Sequence, residues 1–134
     1  MARNDVLITA DELESSEVDL LDVRWRLGEP AGAGRERYLS GHIAGARFLD
    51  LESVLTQPGT PTDGRHPLPE VATLAAGLGA IGVSGDRPVV VYDEAGSFAA
   101  GRAWWVLRWA GLQVRVLDGG VGAWTDQGRP LVSG

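Results

Sequence analysis

Residues 88–111, PVVVYDEAGSFAAGRAWWVLRWAG, contain the pattern from which the fold can be inferred. The branched apolar run at 89–91 ends at Tyr92 and predicts a buried strand. The stretch from 98 to 110, charged only at Arg102 and Arg108, predicts a helix covered on more than one face. Ligands bind beyond the carboxyl ends of parallel strands, and a helix N-terminus favours an anion. The first candidate site is therefore the loop between them: Asp93, Glu94, Ala95, Gly96, Ser97 and Phe98.

Shorter apolar runs extend this alternation along the chain. Strands are predicted at residues 6–8, 18–23, 46–51 and 114–117. Thr9 and Glu12 match a capping box that opens a short helix through Leu13, residues 35–38 predict one helical turn, and further helices are predicted from Pro69 to 81 and over 121–126. The alternation predicts an α/β fold, a doubly wound parallel sheet with helices on both faces, in one domain over residues 1–134.

The composition excludes several classes of function. The 134 residues carry a formal net charge of −6, which disfavours nucleic acid or an anionic membrane as partner. They include no cysteine, and all 12 cationic side chains are arginine. Cysteine nucleophiles, thiolate zinc sites and lysine Schiff bases are therefore absent from this chain. No stretch approaches the roughly 20 apolar residues that cross a bilayer, and no signal peptide is visible, so a cytoplasmic location is expected.

Other site chemistries have weaker support. Asp93 could be a phosphorylated strand-end carboxylate, but no second acid pair and no lysine accompany it. His42 lies in a glycine turn and His66 in a proline-rich loop, so no metal site is expected, and no cofactor is predicted. The pair at 119–120 fits a turn better than a phosphate cradle. The three tryptophans of the central helix, at 104, 105 and 109, fit core and interface positions.

Five motifs occur in order along the chain: LLDVR at 20–24, GHIAGA at 41–46, VVVY at 89–92, GSF at 96–98 followed by Arg102 and the tryptophan pair, and LDGG at 117–120 followed by Trp124. In these motifs the chain resembles a rhodanese domain, specifically the N-terminal half of two-domain thiosulfate and 3-mercaptopyruvate sulfurtransferases. The resemblance implies a five-stranded rhodanese-like sheet. It also implies that residues 1–134 are the N-terminal half of a longer protein.

The resemblance also carries expectations for individual residues. The family's catalytic cysteine, which takes sulfane sulfur as a persulfide and passes it to cyanide or a thiol, directly follows the central strand, where this chain has Asp93. A carboxylate cannot form a stable persulfide, so this copy is expected to be inactive and to support a C-terminal rhodanese half that binds thiosulfate-like anions. Trp25 and Phe98 are expected to wall the substrate cleft between the halves.

Structural roles are expected for Asp22, Arg24 and His42, which would hold loops by hydrogen bonds. Asp93 and Glu94 are expected to repel a thiosulfate dianion, because the loop lacks arginine. Whether the chain acts within an enzyme stays open at this point. The alternative is a free-standing regulatory or binding module that recognises an anion or a protein partner through the Asp93 loop.

Overall fold

The computed structural model describes residues 3–26, 28–50, 71–94 and 98–134. Within these ranges the chain forms strands and helices in alternation. The strands are β1 (Leu7–Ile8), β2 (Asp19–Asp22), β3 (Arg47–Phe48), β4 (Val89–Tyr92) and β5 (Val114–Leu117). The helices are α1 (Arg3–Val6), α2 (Ala10–Glu14), α3 (Ala33–Ser40), α4 (Val71–Ala80), α5 (Ala99–Trp109) and α6 (Gly120–Asp126).

The described strands form one parallel sheet in the order β1-β5-β4-β2-β3. Its central strand β4 is buried along its whole length, because helices cover both faces. Val89 and Val91 face a core shared with α4 and α5, whereas Val90 and Tyr92 face a core shared with α2 and α6. The prediction of an α/β fold with a doubly wound parallel sheet is confirmed.

Several predicted elements differ from the structure in length. The capping box is present, since Glu12 N donates to Thr9 Oγ1 at 3.1 Å and Thr9 N to Glu12 Oε1 at 2.9 Å. Helix α3 is longer than the single predicted turn. Gly34 of this helix packs against the segment that follows β2. A Cβ at this position would lie 2.7 Å from the carbonyl oxygen of Arg24. Because glycine has a low helix propensity, the sequence did not indicate the full length of α3. The close packing nevertheless requires glycine at position 34.

Two predicted strands also differ from the structure at their ends. The first strand loses Val6, which ends α1, and the strand predicted at 46–51 is formed by Arg47–Phe48 alone among the described residues. Pro69 and the proline-rich loop that contains His66 lie outside the described residues. None of the helices in the described ranges has the length and apolar character that a membrane span needs.

Helix α5 differs from its prediction in burial. Ala103, Val106 and Leu107 face the core, but Trp105 and Trp109 remain 48% and 47% exposed. The expectation of cover on more than one face is therefore wrong for this chain by itself. The helix ends as predicted, because Gly111 takes the left-handed conformation at φ +95°.

Candidate functional site

Asp93 directly follows the central strand and lies at the start of α5. Its Oδ2 accepts a hydrogen bond from the backbone N–H of Ala100 at 2.8 Å, and its side chain is nearly buried. Phe98, which precedes the helix, makes no side-chain cap. The carboxylate therefore caps the helix from within the protein, and the positive end of the helix dipole stabilises its charge.

The backbone of Asp93 is held from the opposite side by α6. Its carbonyl oxygen accepts from Val121 N at 2.8 Å. Gly120 approaches so closely, at φ +62°, that a Cβ would lie 2.6 Å from the same oxygen. The glycine pair at the start of α6 thus serves close backbone packing, and the position of residue 93 is fixed from two helices.

Glu94 is neutralised by arginines from elsewhere in the chain. Arg26 donates to its carboxylate through Nε at 2.6 Å and Nη2 at 2.9 Å, and Arg37 Nε lies 3.8 Å from Oε1. The hydrogen bond from Arg26 is the main reason that the pKa of Glu94 falls below its usual value. The expectation of an uncompensated negative loop without arginine is therefore wrong for Glu94. Its partners are distant in sequence, so the loop's own residues could not reveal them.

A second carboxylate, Glu29, joins the same arginines. Arg37 donates to Glu29 through Nη1 at 2.5 Å and Nη2 at 3.1 Å, and the backbone N–H of Arg26 donates to Oε1 at 2.9 Å. The hydrogen bond from Arg37 lowers the pKa of Glu29. These contacts connect the segment after β2, helix α3 and the segment after β4 into one network of ion pairs.

Asp22 and Arg24 form a buried pair beneath this network. Arg24 Nη2 lies 2.8 Å from Asp22 Oδ2, and the Tyr92 hydroxyl donates to the same oxygen at 2.9 Å. Burial and the Asp22 charge raise the pKa of Tyr92 far above its ordinary value, so the hydroxyl stays a donor. Arg24 also donates to the carbonyl oxygen of Gly41 at 2.5 Å. Strands β2 and β4 and the end of α3 are thereby joined.

His42 lies between helix α3 and the segment that follows α6. Its Nδ1 is 2.7 Å from the carbonyl oxygen of Tyr38, and the two rings stack at 3.9 Å. Its backbone pairs with Val132 through two hydrogen bonds of 2.8 Å. His42 thus contacts α3 and the segment that follows α6, and neither contact involves Asp93.

Trp25 and Phe98, the two residues that the resemblance implies as cleft walls, contact each other. Their ring centroids are 5.5 Å apart in an edge-to-face arrangement. Trp25 is 8% exposed and belongs to the core, whereas Phe98 is 56% exposed. A cavity of about 300 Å³ lies against Trp25, Arg26 and Glu29. Phe98 therefore presents an open aromatic face that Trp25 supports from below.

The remaining loop positions, Ala95, Gly96 and Ser97, lie outside the described residues, as does His66. Among the described side chains, no group of three or more His, Asp or Glu could hold a metal ion. Four residues of the site had no predicted role in it: Arg26, Glu29, Arg37 and Tyr92. Tyr92 could have been suspected, because a tyrosine that ends an apolar strand needs a partner for its hydroxyl.

The two carboxylates that follow β4 are both engaged within the protein. The chain has no thiol, the carboxylate of Asp93 is engaged at the helix start, and the carboxylate of Glu94 is engaged by arginine. The first N–H groups of α5 would otherwise be available to an anion. One of them, that of Ala100, is taken by the protein itself.

Comparison with known proteins agrees with this description. The model of the family described as "Rhodanese-like domain" matches residues 8–127. The chain is 47% identical to "Putative thiosulfate sulfurtransferase SseB" of Mycobacterium tuberculosis, over 99% of this chain and 48% of that protein. It is 37% identical to 3-mercaptopyruvate sulfurtransferase of Escherichia coli K12, over 86% of this chain and 41% of that protein. The chain thus spans about half the length of the curated relatives it matches.

Structural comparison gives the same result. The solved 3-mercaptopyruvate sulfurtransferase from Leishmania major superposes with a TM-score of 0.85 at 30% sequence identity, covering 99% of this chain and 37% of that one. The similarity corresponds to the N-terminal domain of such two-domain proteins.

Proposed function

This chain belongs to the rhodanese-like domain family, and on that basis we propose that it is the non-catalytic half of a thiosulfate or 3-mercaptopyruvate sulfurtransferase. In this proposal it supports a second rhodanese half, in the same protein, whose cysteine carries the sulfur. The relatives named for these activities are about twice as long, which leaves room for such a half.

The observation that carries the proposal is the state of residue 93. Sulfane transfer through a persulfide needs a thiolate, and a chain without cysteine cannot supply one. Asp93 stands at the end of β4, and its carboxylate occupies the helix N–H that an incoming anion would need. The Asp93 carboxylate, held at the start of the helix by this hydrogen bond, would repel the thiosulfate dianion.

The same geometry suggests how this half supports its partner. Asp22 and Arg24 fix the segment that carries Trp25, and His42 joins α3 to the segment after α6. We assign these three residues positioning roles. Phe98, exposed and supported by Trp25, would form one wall of a cleft in which the other half binds thiosulfate or a similar small anion.

The alternative of a free-standing module has less support. Recognition of an anion through the Asp93 loop would have to displace the carboxylate from Ala100, and Glu94 already has arginine partners. The coding sequence beyond residue 134 separates the two proposals. A second rhodanese domain with a cysteine after its central strand supports a two-domain enzyme, whereas a stop codon supports the module. The cytoplasmic location stays a prediction.

A sulfur-transfer assay tests the proposal. The purified chain, incubated with thiosulfate and cyanide, is expected to form thiocyanate no faster than a protein-free blank. A matched variant, Asp93→Cys, restores a thiol at the same position and reports whether the loop can accept sulfur once a nucleophile is present. Thiocyanate formation by the unmodified chain above the blank would overturn the proposal.

A further inference from the structure

Three exposed aromatic side chains lie along one side of helix α5 and the residue that precedes it. Phe98, Trp105 and Trp109 are spaced seven and four residues apart, which returns to nearly the same face at 3.6 residues per turn. They are 56%, 48% and 47% exposed. Together they form a strip, here called the aromatic ridge, about 16 Å long for an 11-residue helix.

The ridge differs from an ordinary solvated helix face. Gly101 lies between Phe98 and Trp105 in the sequence. A Cβ there would meet nothing within 4 Å, so no other part of the described chain covers the helix surface at that point. Scattered single apolar residues are normal on a surface, but several aligned aromatics mark an interface. Tryptophan and arginine dominate binding energy at such interfaces, and Arg102 and Arg108 flank the ridge. Arg108 lies over the Trp104 ring, 5.4 Å from its centroid.

We propose that the aromatic ridge, Phe98, Trp105 and Trp109, is the surface on which the sulfur-carrying rhodanese half of the same protein docks. This inference rests on the proposed function and names the contact face. The relatives extend beyond the matched region by about the length of a second domain. The ridge is also continuous with the site, because Phe98 both begins it and contacts Trp25.

The charges favour this occupant over a second copy of the chain. A two-fold dimer through the ridge would place the same patch on both partners. It would therefore bring Arg102 and Arg108 of one copy towards those of the other, and like charges at an interface are unfavourable. A face that combines apolar and acidic side chains complements the ridge, and it is what we expect on the other half.

The test compares the chain alone with the chain joined to a second half. The probe is a chimera in which this chain replaces the matching part of the Mycobacterium tuberculosis relative. Oxidative footprinting with mass spectrometry reads Phe98, Trp105 and Trp109 separately. Oxidation of both tryptophans should fall by about fivefold in the chimera, the ratio between a half-exposed side chain and one that is less than a tenth exposed. Equal oxidation in both proteins would overturn the proposal.

Two variants of the chimera make the test specific. The double variant Trp105→Glu, Trp109→Glu should return oxidation of Phe98 to its level in the isolated chain. The control Leu39→Glu changes an apolar residue of similar exposure, 43%, on another helix, and should leave the ridge protected. If both variants raise the oxidation of Phe98 to the same level, the ridge is not the docking surface. Circular dichroism of the isolated double variant checks that it folds.

Analytical ultracentrifugation of the isolated chain tests the other possible occupant of the ridge, a second copy of the chain. A concentration-dependent dimer that Trp105→Glu abolishes would assign the ridge to a second copy and overturn the proposal. The outcome for the ridge is separable from the outcome for sulfur transfer. Thiocyanate formation by the isolated chain would refute the proposed function whatever the footprint, and an unprotected ridge would refute the docking surface in a chain that stays inactive.

Discussion

Removing the buried carboxylate of Asp22 tests the network that holds the site. Asp22 is fully buried. Its carboxylate accepts hydrogen bonds from the backbone N–H and the guanidinium of Arg24, and from the Tyr92 hydroxyl at 2.9 Å. In Asp22→Ala, the Arg24 charge remains almost buried without its counter-ion, and Tyr92 loses its acceptor. Breaking a buried pair from one side costs about 3–5 kcal/mol.

That cost is a large share of the stability of a domain this size, which is on the order of 5–15 kcal/mol. At about 4 °C per kcal/mol, the midpoint of thermal unfolding should fall by about 12–20 °C. Urea unfolding followed by tryptophan fluorescence measures the free energy directly. The matched control is Asp11→Ala, which removes a carboxylate that is 77% exposed and pairs with Arg129 at the surface. If both variants lose the same small amount of stability, the network does not hold the site.

Three further predictions concern the loop after β4. Glu94→Gln should flatten the loss of stability as the pH falls below about 4.5. Hydrogen bonding to Arg26 lowers the pKa of Glu94 in the folded protein below its ordinary 4.5, so the stabilisation is present above that pH and is lost on acidification. An unchanged acid unfolding curve would contradict this. Gly120→Ala should destabilise by more than about 1 kcal/mol in urea unfolding, because its φ is positive and a Cβ would meet the Asp93 carbonyl. Asp93→Ala should cost about 0.5–2 kcal/mol through loss of the cap on Ala100, and hydrogen exchange should accelerate first at that amide; equal exchange in both proteins would argue against the cap.

Much of the fold follows from local sequence patterns. The contiguous apolar run of β4 could be recognised because a strand covered on both faces is apolar throughout. The capping box at Thr9 was equally local. Helix α3 was underestimated, because glycines weaken its helical pattern while packing against Arg24 requires one of them.

The site was predictable in position and less so in electrostatics. Asp93 could be located from the strand that precedes it. The arginines that neutralise Glu94 come from segments 57 and 68 residues earlier in the chain, since Arg37 and Arg26 pair with it. No local pattern indicates such pairs. The exposure of Trp105 and Trp109 was also missed, because the sequence of an apolar helix does not indicate which of its faces packs against the sheet.

Intact-mass spectrometry of the chain after incubation with thiosulfate tests the central claim most directly, because a persulfide adds the mass of one sulfur atom. The account predicts an unchanged mass for the unmodified protein, whatever the loop residues contribute to binding. A stable, cyanide-reversible gain of one sulfur on the unmodified chain would contradict it.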